Sequence, residues 1–437
     1  MSEVISLQIE KAVYGGAGLA RLPNGNAVLV PLTLPGERVQ AQVTPAKRGP
    51  AQAELMQVLE ASPQRCAPRC MHFGVCGGCS YQHAEYDAQT EMKRGILAET
   101  LQRAGVDAPA ITVHTAEPWH YRNRIRLHFL REGGELRLGY KQRRSHTTFA
   151  MEECPIAAPL LVQTAQALCL AMAGTAFADG TMEAEFFCDA AGQRLQVGIL
   201  LRKGSAVQPE EFAATMEQLK IMIPALSGAG VYEQAEDVTV APRELAQWGE
   251  GSVPCSVGKL EYRVSRGAFF QVNRFLAERL VHLVSAGRSG ALAWDLYAGV
   301  GLFSVALAEN FARVVAVETA MPAVRDLQHN LALAGEQHRA LEYTTLEFLQ
   351  RTAAPSSKKP PQLIVMDPPR AGLGSAVCSL LAQVGAPEMV YVSCDPVTLS
   401  RDLAGLIESG YHLKAVHMVD LFPQTFHLET VAILRRN

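Results

Sequence analysis

The sequence predicts an α/β protein. Its C-terminal part is a doubly wound, mostly parallel sheet, and a small β-barrel and a central α/β region precede it. Three observations carry this. Short apolar runs at Ala291–Tyr297, Val314–Glu318, Gln362–Met366 and Met389–Val392 each stop at a glycine or a polar residue, with helical segments between them. Near the start, short strand-like segments alternate with turn signals. Between the two lie four cysteines within fourteen residues. The chain of 437 residues is long enough for several cores, and its 48% hydrophobic and 19% charged content is ordinary for a globular protein. A net charge of −3 means that any nucleic-acid-binding surface must be local. Met1-Ser2-Glu3-Val4 has neither a charged nor an apolar leader. The apolar stretch Leu160–Ala178, broken by Gln163, Thr164 and Gln166, reads as a packed helix and not a membrane span.

The expected organisation is 1–60, 61–260 and 261–437. In the first part, Leu7–Tyr14, Ala27–Val30 and Arg38–Val43 are strand-like. The turns between them fall at Gly15–Gly18, Asn24-Gly25 and Pro35-Gly36-Glu37, which suits a five-stranded barrel of the oligonucleotide-binding type. Its five basic and five acidic residues balance, so composition alone does not mark an RNA binder and an accessory structural barrel is a serious alternative.

The second part opens with Cys66-x3-Cys70-x5-Cys76-x2-Cys79, in which Gly77 and Gly78 let the backbone wrap closely. Four clustered thiols in a chain with ten cysteines point to metal or cluster ligation and not to disulfides; on spacing alone zinc and an iron–sulfur cluster both fit. Phe73 rules out the Cys-x3-Cys-x2-Cys pattern of radical enzymes. A helical pattern runs from Tyr81 to Gly105, and Cys154 supplies a distant fifth thiol. Between Trp119 and Phe149 there are eight Lys/Arg against Glu132 and Glu135, a local net +6, with arginines alternating along Tyr121–Phe129. This predicts a phosphate-contacting surface, weighed against a merely solvated face. Cys169, Cys188 and Cys255 read as core residues.

In the third part Gln271 stands between Phe270 and Val272 as a polar residue with a possible ligand role, and Asn273 is the expected N-cap of a helix over 274–284. The strand Ala291–Tyr297 leads into the tight turn Ala298-Gly299-Val300-Gly301. The next strand ends in Glu318, 19 residues after Gly299, where βαβ units place a ribose-binding carboxylate. Ser304 occupies the position of the third glycine in the dinucleotide fingerprint, which argues against NAD. Another strand ends in Asp367-Pro368-Pro369-Arg370, where two prolines stiffen the turn. Cys394, in Ser393-Cys394-Asp395-Pro396, sits at a strand end where such sheets bind ligands; a nucleophile and a buried apolar thiol are the two readings. Glu429 opens an apolar strand as either a proton acceptor or a loop glutamate.

Taken in order, these motifs resemble the RNA uracil-5-methyltransferase family, in its iron–sulfur branch acting on large-subunit ribosomal RNA, over nearly the whole chain. Phe270-Gln271-Val272-Asn273, Asp295–Gly301, Asp367–Arg370, Ser393–Pro396 and His427-Leu428-Glu429 match its methyltransferase motifs. The resemblance implies a Rossmann-like S-adenosylmethionine-dependent domain, an N-terminal TRAM barrel and a [4Fe-4S] cluster on Cys70, Cys76, Cys79 and Cys154, leaving Cys66 without a role. It implies Cys394 as nucleophile, Glu429 as base, and Gln271, Tyr297, Glu318 and Asp367 as cofactor contacts. It also implies a cytoplasmic, monomeric enzyme with an RNA partner and neither DNA nor membrane. Two positions depart from the family pattern: Leu302 replaces a cofactor-contacting Asn, and Gln424 replaces a His. By the same analogy the helix expected over 83–114 packs on the catalytic domain. Rival readings are the same chemistry on a transfer-RNA loop, an amino-group methyltransferase sharing the Asp-Pro-Pro turn, and a non-catalytic iron–sulfur RNA-binding factor.

Overall fold

The computed structural model describes residues 3–436 apart from 45, 47, 238–240 and 353–358. Met1 and Ser2 of the leader reading lie outside the described residues. Three large sheets organise the chain. The first has six strands, in the order Glu3–Gln8, Arg38–Thr44, Ala51–Glu60, Ala27–Pro31, Ala17–Arg21, Lys11–Val13. The expectation was five strands, with one running through Leu7–Tyr14. That segment breaks at Ile9-Glu10, where the amides bond Glu37 and Leu19 outside the regular ladders, so it contributes to two strands. Alternate residues Val28, Val30, Val39, Ala41 and Val43 point inward and form its core.

The second sheet has seven strands, from Thr148–Ala150 through Glu135–Lys141, Arg124–Glu132, Thr181–Cys188, Leu195–Leu201 and Leu226–Glu233 to Arg243–Gly249. The helices Pro159–Ala171 and Pro209–Met222 pack on it through Leu161, Leu168, Phe212 and Met216. Pairing with Thr181–Cys188 changes the meaning of the arginine-rich strand. Arg124 and Arg126 meet Glu185, His128 meets Glu183, and Arg131 meets Asp179. The expected phosphate-contacting face is therefore largely neutralised by its neighbours, because the acidic partners lie some 50 to 60 residues away in sequence.

The third sheet has eight strands in the order Arg339–Glu342, Phe311–Glu318, Gly290–Leu296, Leu363–Met366, Glu388–Ser393, Glu429–Arg436, Tyr411–Val419, Ile111–His114. All its pairings are parallel except the two made by Glu429–Arg436. The hairpin Ser252–Val257/Leu260–Ser265 packs into the same core through Val253, Tyr262 and Val264; residue 260 lies within it.

The segment after the cysteines joins this third sheet. The helix spans Tyr86–Arg103 and stops before Gly105 (φ +73°); residues 111–114, expected to be helical, form the edge strand beside Val416–Val419. Ile96, Leu97 and Leu101 bury against Leu399, Leu403 and Tyr411. Lys93, fully buried, reaches Asp420 at 2.6 Å and the Phe422 carbonyl at 2.9 Å. Losing one partner of such a pair strands a buried charge, at a cost of about 3–5 kcal/mol. No helix among the described residues is long and apolar enough to cross a membrane.

Candidate active site and cysteine cavity

The site forms where parallel strands end together. Leu296 pairs with Val317 and with Met366, and Met366 pairs with Tyr391. One residue further along each strand come Tyr297, Glu318 and Asp367, side by side at the sheet edge. On the antiparallel side Ser393 pairs with Thr430, so the same register sets Cys394 opposite Glu429. The sheet thus brings Tyr297, Glu318, Asp367, Cys394 and Glu429 to one edge from five strands that are distant in sequence.

The glycine turn is fixed by a carboxylate. Glu318 accepts from the Gly299 amide at 2.9 Å and from Thr319 and Ala320 at 2.6 and 2.8 Å. Tyr297 (φ +62°), Gly299 (φ +56°) and Gly301 (φ +94°) all take left-handed backbone there. A Cβ on Gly301 would sit 2.8 Å from Leu327, which explains the second glycine. Gln271 is buried and makes no hydrogen bond of its own among the described residues, while its neighbour Asn273 accepts from Phe275 and Leu276 at 3.0 and 3.2 Å. That turn delays the helix to Ala277–Ser285.

The electrostatics are unusual for a sheet edge. Asp295, fully buried, accepts from Ser304 at 2.5 Å through one oxygen and leaves the other without a partner. Burial pushes it up to about 7. Asp367 is also raised to about 7, by burial and by Asp295. Glu429 lies well above the ordinary carboxylate range, through burial and then Asp367. Burial, Glu429 and Asp367 together push the Cys394 thiol up to about 11, against the pull of Arg370. A pocket of stacked carboxyls favours a ligand that brings positive charge.

The surroundings are braced by residues that sequence reasoning passed over. Asp395 caps the helix Pro396–Glu408 through the Val397 and Thr398 amides, and Tyr14 of the first sheet donates to its other oxygen at 3.1 Å. Arg370 donates to His427 at 3.1 Å, and burial with Arg370 lowers that imidazole to about 4. His427 stacks on Phe426, which meets Tyr14 edge-on. Only Asp295 carried a usable signal: a lone charge inside an apolar strand. Of the two departing positions, Leu302 is buried in the core beside the glycine turn, and Gln424 is a clasp. It exchanges two 2.9 Å amide bonds with Gln89, and its carbonyl accepts from Ser80 and Tyr81.

Ser80 and Tyr81 follow directly on the cysteine loop. Cys70, Cys76, Cys79 and Cys154 line one narrow cavity of about 50 Å³ with Gln82, Arg122 and Tyr140. Cys66 is outside it, its thiol donating to the Gln82 carbonyl at 3.5 Å. Burial pushes Cys76 up to about 11 and Cys79 to about 12, and all four thiols are raised. Among the described residues no group of three or more His, Cys, Asp or Glu side chains is placed to hold a metal ion.

The fold and the strand-end site define a methyltransferase-type α/β domain with an attached β-sheet domain. The family model for tRNA (Uracil-5-)-methyltransferase matches residues 85–341 and 357–437, and that for the TRAM domain matches 3–56. The chain belongs to that RNA methyltransferase family and carries a TRAM domain. It is 31% identical to 23S rRNA (uracil(1939)-C(5))-methyltransferase RlmD of Halomonas elongata, covering 98% of this chain and 89% of that one. An uncharacterized RNA methyltransferase of Streptomyces avermitilis is 32% identical over 99% of this chain and 98% of its own. The crystal structure of Pyrococcus abyssi tRNA (uracil-54, C5)-methyltransferase with S-adenosyl-L-homocysteine superposes with a TM-score of 0.75. At 22% identity, over 99% of this chain and 100% of that one, it shares the fold.

The raised thiol gives a direct test of the site's charge. A thiol held near 11 stays protonated at neutral pH, so alkylation of Cys394 by iodoacetamide, followed by peptide mass spectrometry, should climb about tenfold per pH unit from 7 to 10. A plateau by pH 8.5 would contradict the site drawn here.

Proposed function

We propose that the protein methylates carbon 5 of a uridine in large-subunit ribosomal RNA, with S-adenosylmethionine as methyl donor. The observation that carries this is the pairing of Cys394 with Glu429 across one sheet edge, beside Asp367 and Asp295. The donor's residues fit. Gln271 and the free oxygen of Asp295 are unused polar groups; Tyr297, Glu318 and Asp367 surround the glycine turn. When bound, S-adenosylmethionine supplies an electrophilic methyl group on a positively charged sulfur, the charge that this acidic pocket favours.

Carbon 5 of uracil is too weak a nucleophile to attack such a methyl unaided. The Cys394 thiol loses its proton to solvent and the thiolate adds to carbon 6, and the electrons of the 5,6 double bond pass to carbon 5 and the neighbouring carbonyl oxygen as an enolate. Carbon 5 then takes the methyl group as its bond to the sulfonium sulfur breaks, leaving S-adenosylhomocysteine. Glu429 removes the carbon-5 proton; the released electron pair restores the double bond and expels the Cys394 sulfur. A nearby cation lowers both Cys394 and Glu429 toward their working protonation states, which couples the chemistry to an occupied site. The uridine must leave its stack to reach the pocket. Ribosomal RNA is preferred over transfer RNA on the strength of the Halomonas relative.

Glu429→Gln should add to carbon 6 and take the methyl but fail to eliminate, so covalent enzyme–RNA complex accumulates on denaturing gels while turnover falls at least about a thousandfold. Normal turnover would remove Glu429 from the reaction. Mapping 5-methyluridine in ribosomal and transfer RNA from cells lacking the protein identifies the substrate; loss from transfer RNA alone would move the activity there.

We infer a [4Fe-4S] cluster on Cys70, Cys76, Cys79 and Cys154 from the family resemblance and from the four thiols lining one cavity. Protein purified without oxygen should be brown and hold iron and acid-labile sulfide in equal amounts; a colourless preparation containing zinc would overturn the assignment.

A further inference from the structure

The basic stretch is not uniform once its partners are known. Arg124, Arg126 and Arg131 are committed to carboxylates, whereas Lys141, Arg143 and Arg144 have no acidic partner among the described residues. These three crowd one turn, and Arg144 is held there at φ +54°. Lys141 and Arg144 are exposed; Arg143 is half-buried, and burial together with Arg144 holds its guanidinium below the usual range. Holding such like charges together costs energy that no protein group returns.

The turn is also anchored. The Arg143 amide donates to Val75 at 2.8 Å, and Cys76 bridges Gln142. Arg144 donates to Gln52 of the TRAM strand Ala51–Glu60 at 3.0 Å. Beside it the cysteine loop exposes Met71 and Val75, apolar surface of the kind that unstacked bases cover. The same loop continues into Ser80 and Tyr81, bonded to Gln424 on the path to Glu429.

We propose that the 141–147 turn grips the phosphates of the RNA strand, and that the cysteine loop holds this grip in register with the catalytic loop. The proposal rests on the RNA-methylating role argued above and adds where the strand is held.

The test is the salt dependence of binding by the full-length protein to a fluorescein-labelled single-stranded RNA of mixed sequence, which reads backbone contacts alone. Replacing Lys141, Arg143 and Arg144 together by Gln should flatten the log–log salt slope by about 2, near 0.7 per lost contact, and weaken binding at least about tenfold at low salt. If that variant unfolds by circular dichroism, Arg144→Gln alone decides, with an expected change of about 0.7. An unchanged slope overturns the proposal, as does a comparable loss from Arg126→Gln with Arg131→Gln, which would return the contact to the strand. Wild-type protein that binds RNA with the predicted slope but forms no 5-methyluridine would sink the enzymatic reading and leave this contact standing.

Discussion

The buried ion pair between Lys93 and Asp420 is the constraint on which the site depends. Asp420 opens the loop that ends at Glu429, and each turn of that loop is held by a different part of the chain. Asn273 donates to Leu421 at 3.0 Å, Tyr121 to Pro423 at 3.1 Å, and Gln89 clasps Gln424. The central sheet, the cysteine loop and the helix Tyr86–Arg103 therefore converge on the segment that places Glu429 opposite Cys394. A charge pair with no access to water has a narrow choice of geometry, and the loop inherits that narrowness.

The second organising feature is the stack of carboxyls under the strand ends. Burial raises all four groups; Asp295 adds to Asp367, Asp367 adds to Glu429, and Glu429 with Asp367 adds to Cys394, so without added positive charge the thiol stays protonated at neutral pH. Such a site is quiet until a cation enters. In the proposed reaction this would protect the Cys394 thiol from wasteful alkylation and tie its activation to the presence of the methyl donor.

Much of this was legible in the sequence, and the failures are instructive. The strand-end motifs were local signals: an apolar run, a stop, a polar residue. Those could be read directly, and the parallel sheet then assembled them. The charge balance of the arginine strand was not legible locally because its carboxylate partners include Glu183 and Glu185, on a strand whose pairing no local pattern announces. The segment 111–114 looked like a continuation of a helix because its edge-strand role is set by Val416–Val419, some three hundred residues on. Tyr14, and the role of Gln424 beyond its departure from the family pattern, were hidden for the same reason. Their meaning lies in Asp395 and Gln89, which only the folded chain brings near.

The central claim is that Cys394 bonds covalently to the base. RNA in which the target uridine is replaced by 5-fluorouridine has no carbon-5 proton for Glu429 to remove, so the reaction should halt with the RNA attached to the enzyme. The account predicts a stable adduct, formed only with S-adenosylmethionine present, mapping by mass spectrometry to the peptide containing Cys394 and absent in Cys394→Ala. An adduct that persists in that variant, or none from an enzyme that methylates normal RNA, would contradict it.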